Sequence, residues 1–219
     1  MKRVIFVTSA ESGKELLEWA RPLCDVVLEI TDGSKITEFP EYDLGISYLY
    51  THKIPMSEFD IPYKWVNFHP APLPERRGCQ PYYHAIMDGD ATFGSSIHYM
   101  DAEFDTGEII EVIRFPIKPE YTAGDLIHIS REQSKHLFKK HIPNILNQKV
   151  ESFPQIQDGK YYKKVDINDM FGVTEMQGRR IRATTVFPHY YPIIMINNRK
   201  YQIAPMEELF PSPQILNKT

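Results

Sequence analysis

Four short apolar runs near the start of the chain constrain its fold more than any other feature. They are rich in branched and aromatic residues and read VIFV (4–7), VVLEI (26–30), LGISYL (44–49) and WVNF (65–68). Such runs, alternating with helix-length segments like GKELLEWARPL, are typical of a parallel sheet built from βαβ units. We therefore predict an α/β fold with a Rossmann-like core and a mostly parallel sheet over residues 1–150.

The first strand-to-helix turn, TSAESGKE, carries no nucleotide-binding signature. It lacks the Gly-x-Gly-x-x-Gly spacing of dinucleotide sites and the Gly-Lys-Ser/Thr of phosphate-binding loops. The sequence therefore predicts neither a dinucleotide nor a nucleoside triphosphate at this turn.

The next part of the core is predicted to hold two more strands and a long helix. GSSIHYM (94–100) and EIIEVIRFPI (108–117) are strand-like and flank the turn-like segment DAEFDTG, which carries two aspartates. Thr122 and Asp125 then form a capping-box pattern before a helical apolar period. We expect Pro143 to kink or end this helix.

Residues 151–219 have a different sequence pattern from the residues before them, and this pattern predicts a small C-terminal subdomain. Short strand-like runs, including the segment QGRRIRATTVFPHYYPIIMI, surround an INNRKY turn, which favours a β-hairpin. This part also carries a local excess of lysine and arginine. A solvated face and a face toward a polyanion are both compatible with that excess.

The composition limits the partners and the compartment. A net charge of -4 and a pI near 6.1 give no general attraction to nucleic acid or to anionic membranes. The N-terminal apolar run is too short for a signal peptide and no long apolar stretch follows, so we expect a soluble cytoplasmic protein. Histidines and cysteines lack ligand spacing, so no metal site is predicted, and Cys24 and Cys79 are expected to be free thiols.

The strand WVNF ends in a polar pair that suggests chemistry. Asn67 and His69 are two residues apart, so both lie on one face at the carboxyl end of a strand, where α/β folds bind ligands. An amide donor beside an imidazole suits a carbonyl that becomes an oxyanion while an amine loses a proton. Asp105 would supply a carboxylate if the fold brings it near. On spacing alone, the residues are more commonly a turn-capping asparagine and a satisfied core histidine, and that interpretation stays open.

A longer stretch carries a family resemblance. NFHPAPLPERRGCQPYYHAIMDGDATFGSSIHYMDAEFDTGEII (67–110) resembles the signature of the folate-dependent formyltransferases. The shared features are Asn-x-His-Pro, the Leu-Pro and Arg-Gly loop, His-x-Met/Ile-Asp and Asp-x-Gly-x-Ile. The resemblance implies a formyltransferase with the catalytic residues Asn67, His69 and Asp105. It also implies 10-formyltetrahydrofolate as formyl donor and co-substrate.

The same resemblance implies which residues contact each substrate. The folate would lie against the strand before the motif and the later loop, near Tyr48, Leu49, Tyr50, Asp101 and Phe104. The acceptor would contact the loop after the motif, at Arg77, Gly78, Pro81, Tyr82 and Tyr83. For the tyrosines of that loop, ring stacking on a ligand and packing in the protein are both open.

Among formyltransferases, the resemblance favours the sugar N-formyltransferases. DLGISYLYTHKIP, GCQPYYHAI and RRIRATTVFPHYYP resemble that subgroup. It implies direct attack by the amine of a nucleotide-linked 3- or 4-amino-deoxy sugar, dTDP-linked by family frequency, for O-antigen or other lipopolysaccharide biosynthesis. It further implies a homodimer formed through the C-terminal part.

Three alternatives to the sugar enzyme follow from the resemblance. Methionyl-tRNA formyltransferases carry a C-terminal β-barrel domain for which the residues after 150 are too few, and an acidic balance suits tRNA poorly. Glycinamide ribonucleotide formyltransferase opens with a glycine-rich phosphate-binding turn that TSAESG does not reproduce. The related formyltetrahydrofolate hydrolase resembles it but has an added regulatory domain, which we do not expect here. A non-catalytic nucleotide-sugar-binding protein is the alternative outside enzymes.

Overall fold

A computed structural model describes residues 1–55, 58, 64–148, 150–156, 159–165, 177–186, 193–196 and 199–202. Its strands are β1 (Arg3–Thr8), β2 (Asp25–Ile30), β3 (Leu44–Tyr48), β4 (Trp65–His69), β5 (Arg77–Gly78), β6 (Thr92–Tyr99), β7 (Ile109–Pro116), β8 (Tyr161–Tyr162), β9 (Ile193–Ile196) and β10 (Arg199–Gln202). Its α-helices are α1 (Glu11–Ala20), α2 (Pro81–Asp88), α3 (Ala123–Asn147) and α4 (Gln177–Thr184). A 3₁₀ turn at Arg21–Leu23 follows α1.

The main sheet confirms the predicted fold class. Its six strands lie in the order β2-β1-β3-β4-β6-β7. The pairings among β2, β1, β3 and β4 are parallel, whereas β6 runs antiparallel to both β4 and β7. A short loop joins β6 to β7, and a connection of that length permits only an antiparallel pair. The four apolar runs are β1 to β4, and the two later candidates are β6 and β7.

The core on one face of this sheet is organised around Phe138 of α3. Its ring lies 6.0 Å from that of Phe6, 6.1 Å from Tyr48 and 5.2 Å from Phe68, measured between centroids. Trp19 of α1 adds an edge contact at 5.9 Å. Helices α1 and α3 therefore pack on the same face of the sheet, and burying such rings supplies much of the apolar area removed from water.

Helix α3 begins as predicted but does not end at its proline. The Asp125 amide donates to Thr122 Oγ1, and the Thr122 amide donates to Asp125 Oδ2 at 2.7 Å, which completes the capping box. The helix continues past Pro143 to Asn147, so of the two predicted effects, a kink or an end, the proline does not cause the end. Apolar side chains of the last turns are buried and outweigh the missing hydrogen bond; they are Ile142, Ile145 and Leu146.

The C-terminal residues hold the predicted hairpin and one helix that was not predicted. β9 and β10 pair antiparallel around residues 197–198, which lie outside the described residues. Residues 177–184, part of a segment expected to hold strand-like runs, form α4 instead, and its Ala183 is buried in one apolar cluster with Ile86 and Leu126 of the other helices. Tertiary packing of this kind overrides a weak local pattern. The domain boundary at residue 150 and the dimer contact assigned to this part stay predictions.

Two further features of the described residues concern the cysteines and the length of the apolar helices. Cys24 is buried, Cys79 is exposed, and both are free thiols. Across the described ranges, no helix combines the length and apolarity needed to cross a membrane.

Candidate active site

A cavity of about 720 Å³ lies at the carboxyl ends of β1, β3 and β4. The loop between β6 and β7, the loop between β4 and α2, and one face of α3 close its sides. A volume of this size falls within the range of about 300–1,000 Å³ that is usual for small-molecule sites. The fold therefore places a ligand-sized cavity where parallel α/β sheets bind ligands.

Most residues predicted from the sequence line this cavity. The predicted catalytic residues do so, as do most of the residues assigned to the folate and some of those assigned to the acceptor. These are Asn67, His69, Asp105, Leu49, Tyr50, Asp101, Phe104, Gly78, Pro81 and Tyr82. Their placement is compatible with the predicted roles, which stay predictions.

Three predicted ligand contacts lie outside the cavity lining. Tyr48 is fully buried, because strand alternation turns its ring into the core. The Arg77 guanidinium donates to the side chain of Gln155 at 2.6 Å and 3.0 Å, so it points into the protein. Tyr83 packs in the apolar cluster between α2 and α3. In this structure these three side chains do not line the cavity, and the ligand contacts assigned to them stay predictions.

The amide of Asn67 is held in one orientation by residues of the neighbouring strands. Ser47 Oγ donates to Asn67 Oδ1 at 2.8 Å, and Asn67 Nδ2 lies 3.1 Å from His98 Nε2. His98 Nδ1 lies 2.8 Å from the Tyr99 carbonyl oxygen, which can only accept, so Nδ1 carries the hydrogen. Burial holds the pKa of His98 below its usual value and favours the neutral ring. Nε2 then accepts from Asn67, whose second amide hydrogen is available to an oxygen in the cavity.

The ring of His69 has one nitrogen committed to the backbone and one beside a carboxylate. Its Nε2 lies 2.7 Å from the Arg76 carbonyl oxygen, which can only accept, so Nε2 carries a hydrogen. Its Nδ1 lies 3.5 Å from Asp105 Oδ1. In the neutral ring, Nδ1 is therefore the atom that can take up a proton, and Asp105 would stabilise the imidazolium that forms.

Asp105 is held in an unusual backbone conformation. Its φ is +58°, in the left-handed region that few residues other than glycine adopt. Its Oδ2 accepts from the Gly78 amide at 2.8 Å, and its Oδ1 also lies 3.7 Å from His98 Nε2. Strained residues of this kind concentrate at functional sites, where the surrounding structure fixes them.

The sequence did not identify Ser47 and His98 as parts of the site. In the sheet, Ser47 on β3 is the register partner of Asn67 on β4, and Asn67 is the register partner of His98 on β6. The three polar side chains thus form a row across adjacent strands. His98 was visible in the His-x-Met-Asp motif, but only the strand register assigns it a role.

Lowering the pH below about 6.5 is expected to weaken the folded state, because the unfolded chain then protonates His98 while the folded chain does not. Burial holds the folded-state pKa of His98 below its ordinary value of about 6.5. The contribution of His98 to the free energy of unfolding should be constant above about pH 6.5 and fall by up to about 1.4 kcal/mol per pH unit below it, down to the folded-state pKa.

Urea unfolding of the wild type and of His98→Gln at about pH 7.5 and about pH 5.5 checks this linkage. Glutamine keeps an acceptor for Asn67 but does not titrate. Between the two pH values, the free energy of unfolding of His98→Gln should therefore fall by about 1 kcal/mol less than that of the wild type. The pKa of His84 is also lowered by burial and contributes equally to both proteins. Equal losses in the two proteins would contradict a neutral His98.

Comparison with known proteins identifies the group to which the chain is related. The sequence model of the formyl transferase family matches residues 42–142, which include the end of β4 and the loop that bears Asp105. This chain carries a formyl transferase segment at residues 42–142. Its family segment contains the three residues predicted to be catalytic.

The relatives form two groups, one found by sequence and one found by fold. Methionyl-tRNA formyltransferase from Rhodococcus erythropolis is 31% identical over 172 residues, covering 76% of this chain and 55% of the relative. The chain spans about half the length of the curated relatives that it matches. A 4-N formyltransferase from Francisella tularensis has a TM-score of 0.73 at 21% identity, covering 93% of this chain and 97% of that one.

A further solved structure has the same fold. An N-formyltransferase from Helicobacter canadensis, in complex with folinic acid and dTDP-3-aminofucose, has a TM-score of 0.73 at 23% identity. The match covers 91% of this chain and 86% of the Helicobacter chain. Likeness at this identity establishes the fold.

Proposed function

We propose that the chain is a sugar N-formyltransferase that moves the formyl group of 10-formyltetrahydrofolate to the amine of a nucleotide-linked 3- or 4-amino-deoxy sugar. The observation that carries this proposal is the meeting of three groups in one cavity. They are the oriented amide of Asn67, Nδ1 of His69 and the carboxylate of Asp105. These groups supply an oxyanion donor, a base and its counter-ion for an amine that attacks a formyl carbon.

The proposed reaction is a direct transfer. The lone pair of the sugar amine forms a bond to the formyl carbon, and the C=O π electrons move to oxygen, where Asn67 Nδ2 donates to the oxyanion. His69 Nδ1 takes one amine proton, and Asp105 stabilises the resulting imidazolium. The C=O bond then re-forms as the bond from carbon to N10 of the folate breaks. N10 receives the proton from His69, giving the formamido sugar and tetrahydrofolate.

The features that support a nucleotide-linked acceptor lie along the same cavity. Exposed cations line it, as do aromatic rings; the cations are Lys53, Arg131 and Lys164 and the rings are Tyr50, Tyr82, Phe104 and Tyr161. Cations suit a diphosphate and rings suit a base or a pterin. The Helicobacter protein of the same fold is a complex with folinic acid and a dTDP-linked amino sugar. We therefore prefer dTDP among the nucleotides.

Methionyl-tRNA is the second candidate acceptor, and one observation favours it. The curated relatives that match this chain at 31% identity are methionyl-tRNA formyltransferases, whereas the 4-N formyltransferase and the N-formyltransferase named above match at 21% and 23%. Sequence identity and fold comparison thus favour different acceptors for the same chemistry.

Mass spectrometry of an acceptor panel tests the proposal. The purified chain is incubated with 10-formyltetrahydrofolate and dTDP-, UDP- or GDP-linked 3- and 4-amino sugars, methionyl-tRNA or glycinamide ribonucleotide. A gain of one formyl group on one amino sugar, with release of tetrahydrofolate, is the expected result. A gain on methionyl-tRNA alone would select the second candidate. Tight binding of nucleotide sugars without any transfer would favour a binding protein.

A further inference from the structure

We propose that Gln155, held by Arg77, is a positioning residue that fixes Asp105 for proton transfer with His69; this inference rests on the proposed formyl transfer. Gln155 lies fifty residues beyond Asp105 along the chain. It approaches the loop between β6 and β7 from the segment that follows α3. Its side chain does not line the cavity, so it would act through Asp105 and not on a ligand.

Both ends of the Gln155 amide are engaged. Its Nε2 donates to the carbonyl oxygens of Asp105 at 3.0 Å and of Gly107 at 2.8 Å. Its Oε1 accepts from Arg77 Nε at 3.0 Å and from Arg77 Nη2 at 2.6 Å. Arginine can only donate and carbonyls can only accept, so the contacts fix which end of the amide carries oxygen. The amide therefore acts as a rigid bridge between Arg77 and the backbone on both sides of Thr106.

Asp105 needs such a support because its conformation is strained. Its φ of +58° persists only where surrounding contacts over-determine it. The same loop carries Phe104, which is half exposed, so apolar packing does little to hold it. Gly107 is constrained as well, because a Cβ there would lie 2.0 Å from the Tyr99 carbonyl oxygen. The Gln155 bridge thus holds the two carbonyl groups whose directions set the path of the backbone at Asp105.

Three consecutive residues, 76–78, connect the Gln155 bridge to His69, the proposed base. The Arg76 carbonyl accepts from His69 Nε2, the Arg77 side chain holds Gln155, and the Gly78 amide donates to Asp105 Oδ2. One short segment therefore sets the positions of both His69 and Asp105. A displacement of Asp105 would change its distance from His69 Nδ1 without removing either group.

Replacing Gln155 with glutamate tests the bridge. A carboxylate still accepts from Arg77 but cannot donate to the two carbonyl groups. We expect kcat to fall about 10- to 100-fold with the KM for 10-formyltetrahydrofolate changed less than about threefold, as for a misplaced catalytic group. Gln148→Glu makes the same chemical change on the exposed end of α3 and should leave kcat unchanged. Gln155→Met repeats the test without adding a charge.

A double-mutant cycle shows whether Gln155 acts through Asp105. If it does, adding Gln155→Glu to Asp105→Asn should lower kcat by less than about twofold, because the group that it positions is already disabled. A purely structural role would lower kcat by the same factor in both backgrounds. Such multiplicative losses, or a Gln155→Glu enzyme with the kcat of the wild type, would overturn the inference.

Hydrogen exchange of the Gly78 amide provides a readout that does not depend on activity. Its hydrogen is accepted by Asp105 Oδ2, so displacement of Asp105 should speed its exchange about tenfold or more, with Asp105→Ala as the reference for complete loss. Unchanged exchange in Gln155→Glu would contradict the positioning role. A wild type that formylates no acceptor would instead refute the proposed function, and the exchange measurement would still decide the role of Gln155.

Discussion

Replacing Asn67 with alanine should lower the kcat of formyl transfer about 100- to 1,000-fold, because the proposed oxyanion loses its side-chain donor. The KM for 10-formyltetrahydrofolate should change much less, since the amide is expected to interact more strongly with the oxyanion than with the formyl carbonyl of the bound substrate. Steady-state rates with the acceptor found in the panel would measure both constants.

The control for this variant is Asn144→Ala, which removes the same side chain from an exposed position on α3. It should leave both constants unchanged. Since Asn67 also accepts from Ser47, the thermal stability of the two variants should be compared before their rates are interpreted. An Asn67→Ala enzyme with more than about a tenth of the wild-type kcat would contradict the assignment of this amide as the oxyanion donor.

Replacing His69 with alanine should lower kcat about 100- to 10,000-fold, because the amine proton loses its acceptor and the leaving N10 loses its donor. The ring is only 5% exposed and lines the cavity, so its removal leaves a small space beside Asp105 in the cavity wall. Single-turnover measurements would show the loss in the chemical step itself.

The matched control is His136→Ala, on the exposed face of α3. Its kcat should equal that of the wild type. Added imidazole should restore part of the activity of His69→Ala, since it can occupy the vacated space and carry a proton. Transfer at close to the wild-type rate without His69 would mean that another group, or water, accepts the proton.

The sequence predicted the strands of the main sheet well, because each strand is a short apolar run bounded by polar or turn residues. It did not predict the pairing of β6 between β4 and β7, since strand order depends on which surfaces meet in the folded chain. Two local features could not be predicted for the same reason, which is that both depend on tertiary packing. α3 continues past Pro143 because the residues around it are buried, and α4 is a helix that packs against α2.

For the site, alternation along one strand was enough to place Asn67 and His69 on the same face. The partners that orient them could not be predicted, because they come from other strands and from a residue far along the chain. Ser47 and His98 are defined by register, and Gln155 by the return of the chain after α3. The direction of the Arg77 side chain could not be predicted either, because an arginine on a loop can face a ligand or the protein. In the structure it donates to Gln155.

The row of Ser47, Asn67 and His98 across three strands also makes the site selective for the sign of charge. Turning the Asn67 amide by half a rotation would set its oxygen against the lone pair of neutral His98 Nε2, so the amide keeps its N–H toward the cavity. Its dipole is thus aligned before any substrate binds, and little reorganisation energy is needed as negative charge develops on oxygen. The same fixed dipole favours negative charge and disfavours positive charge at that position, so in the proposed reaction the position suits the formyl oxygen and not the attacking amine.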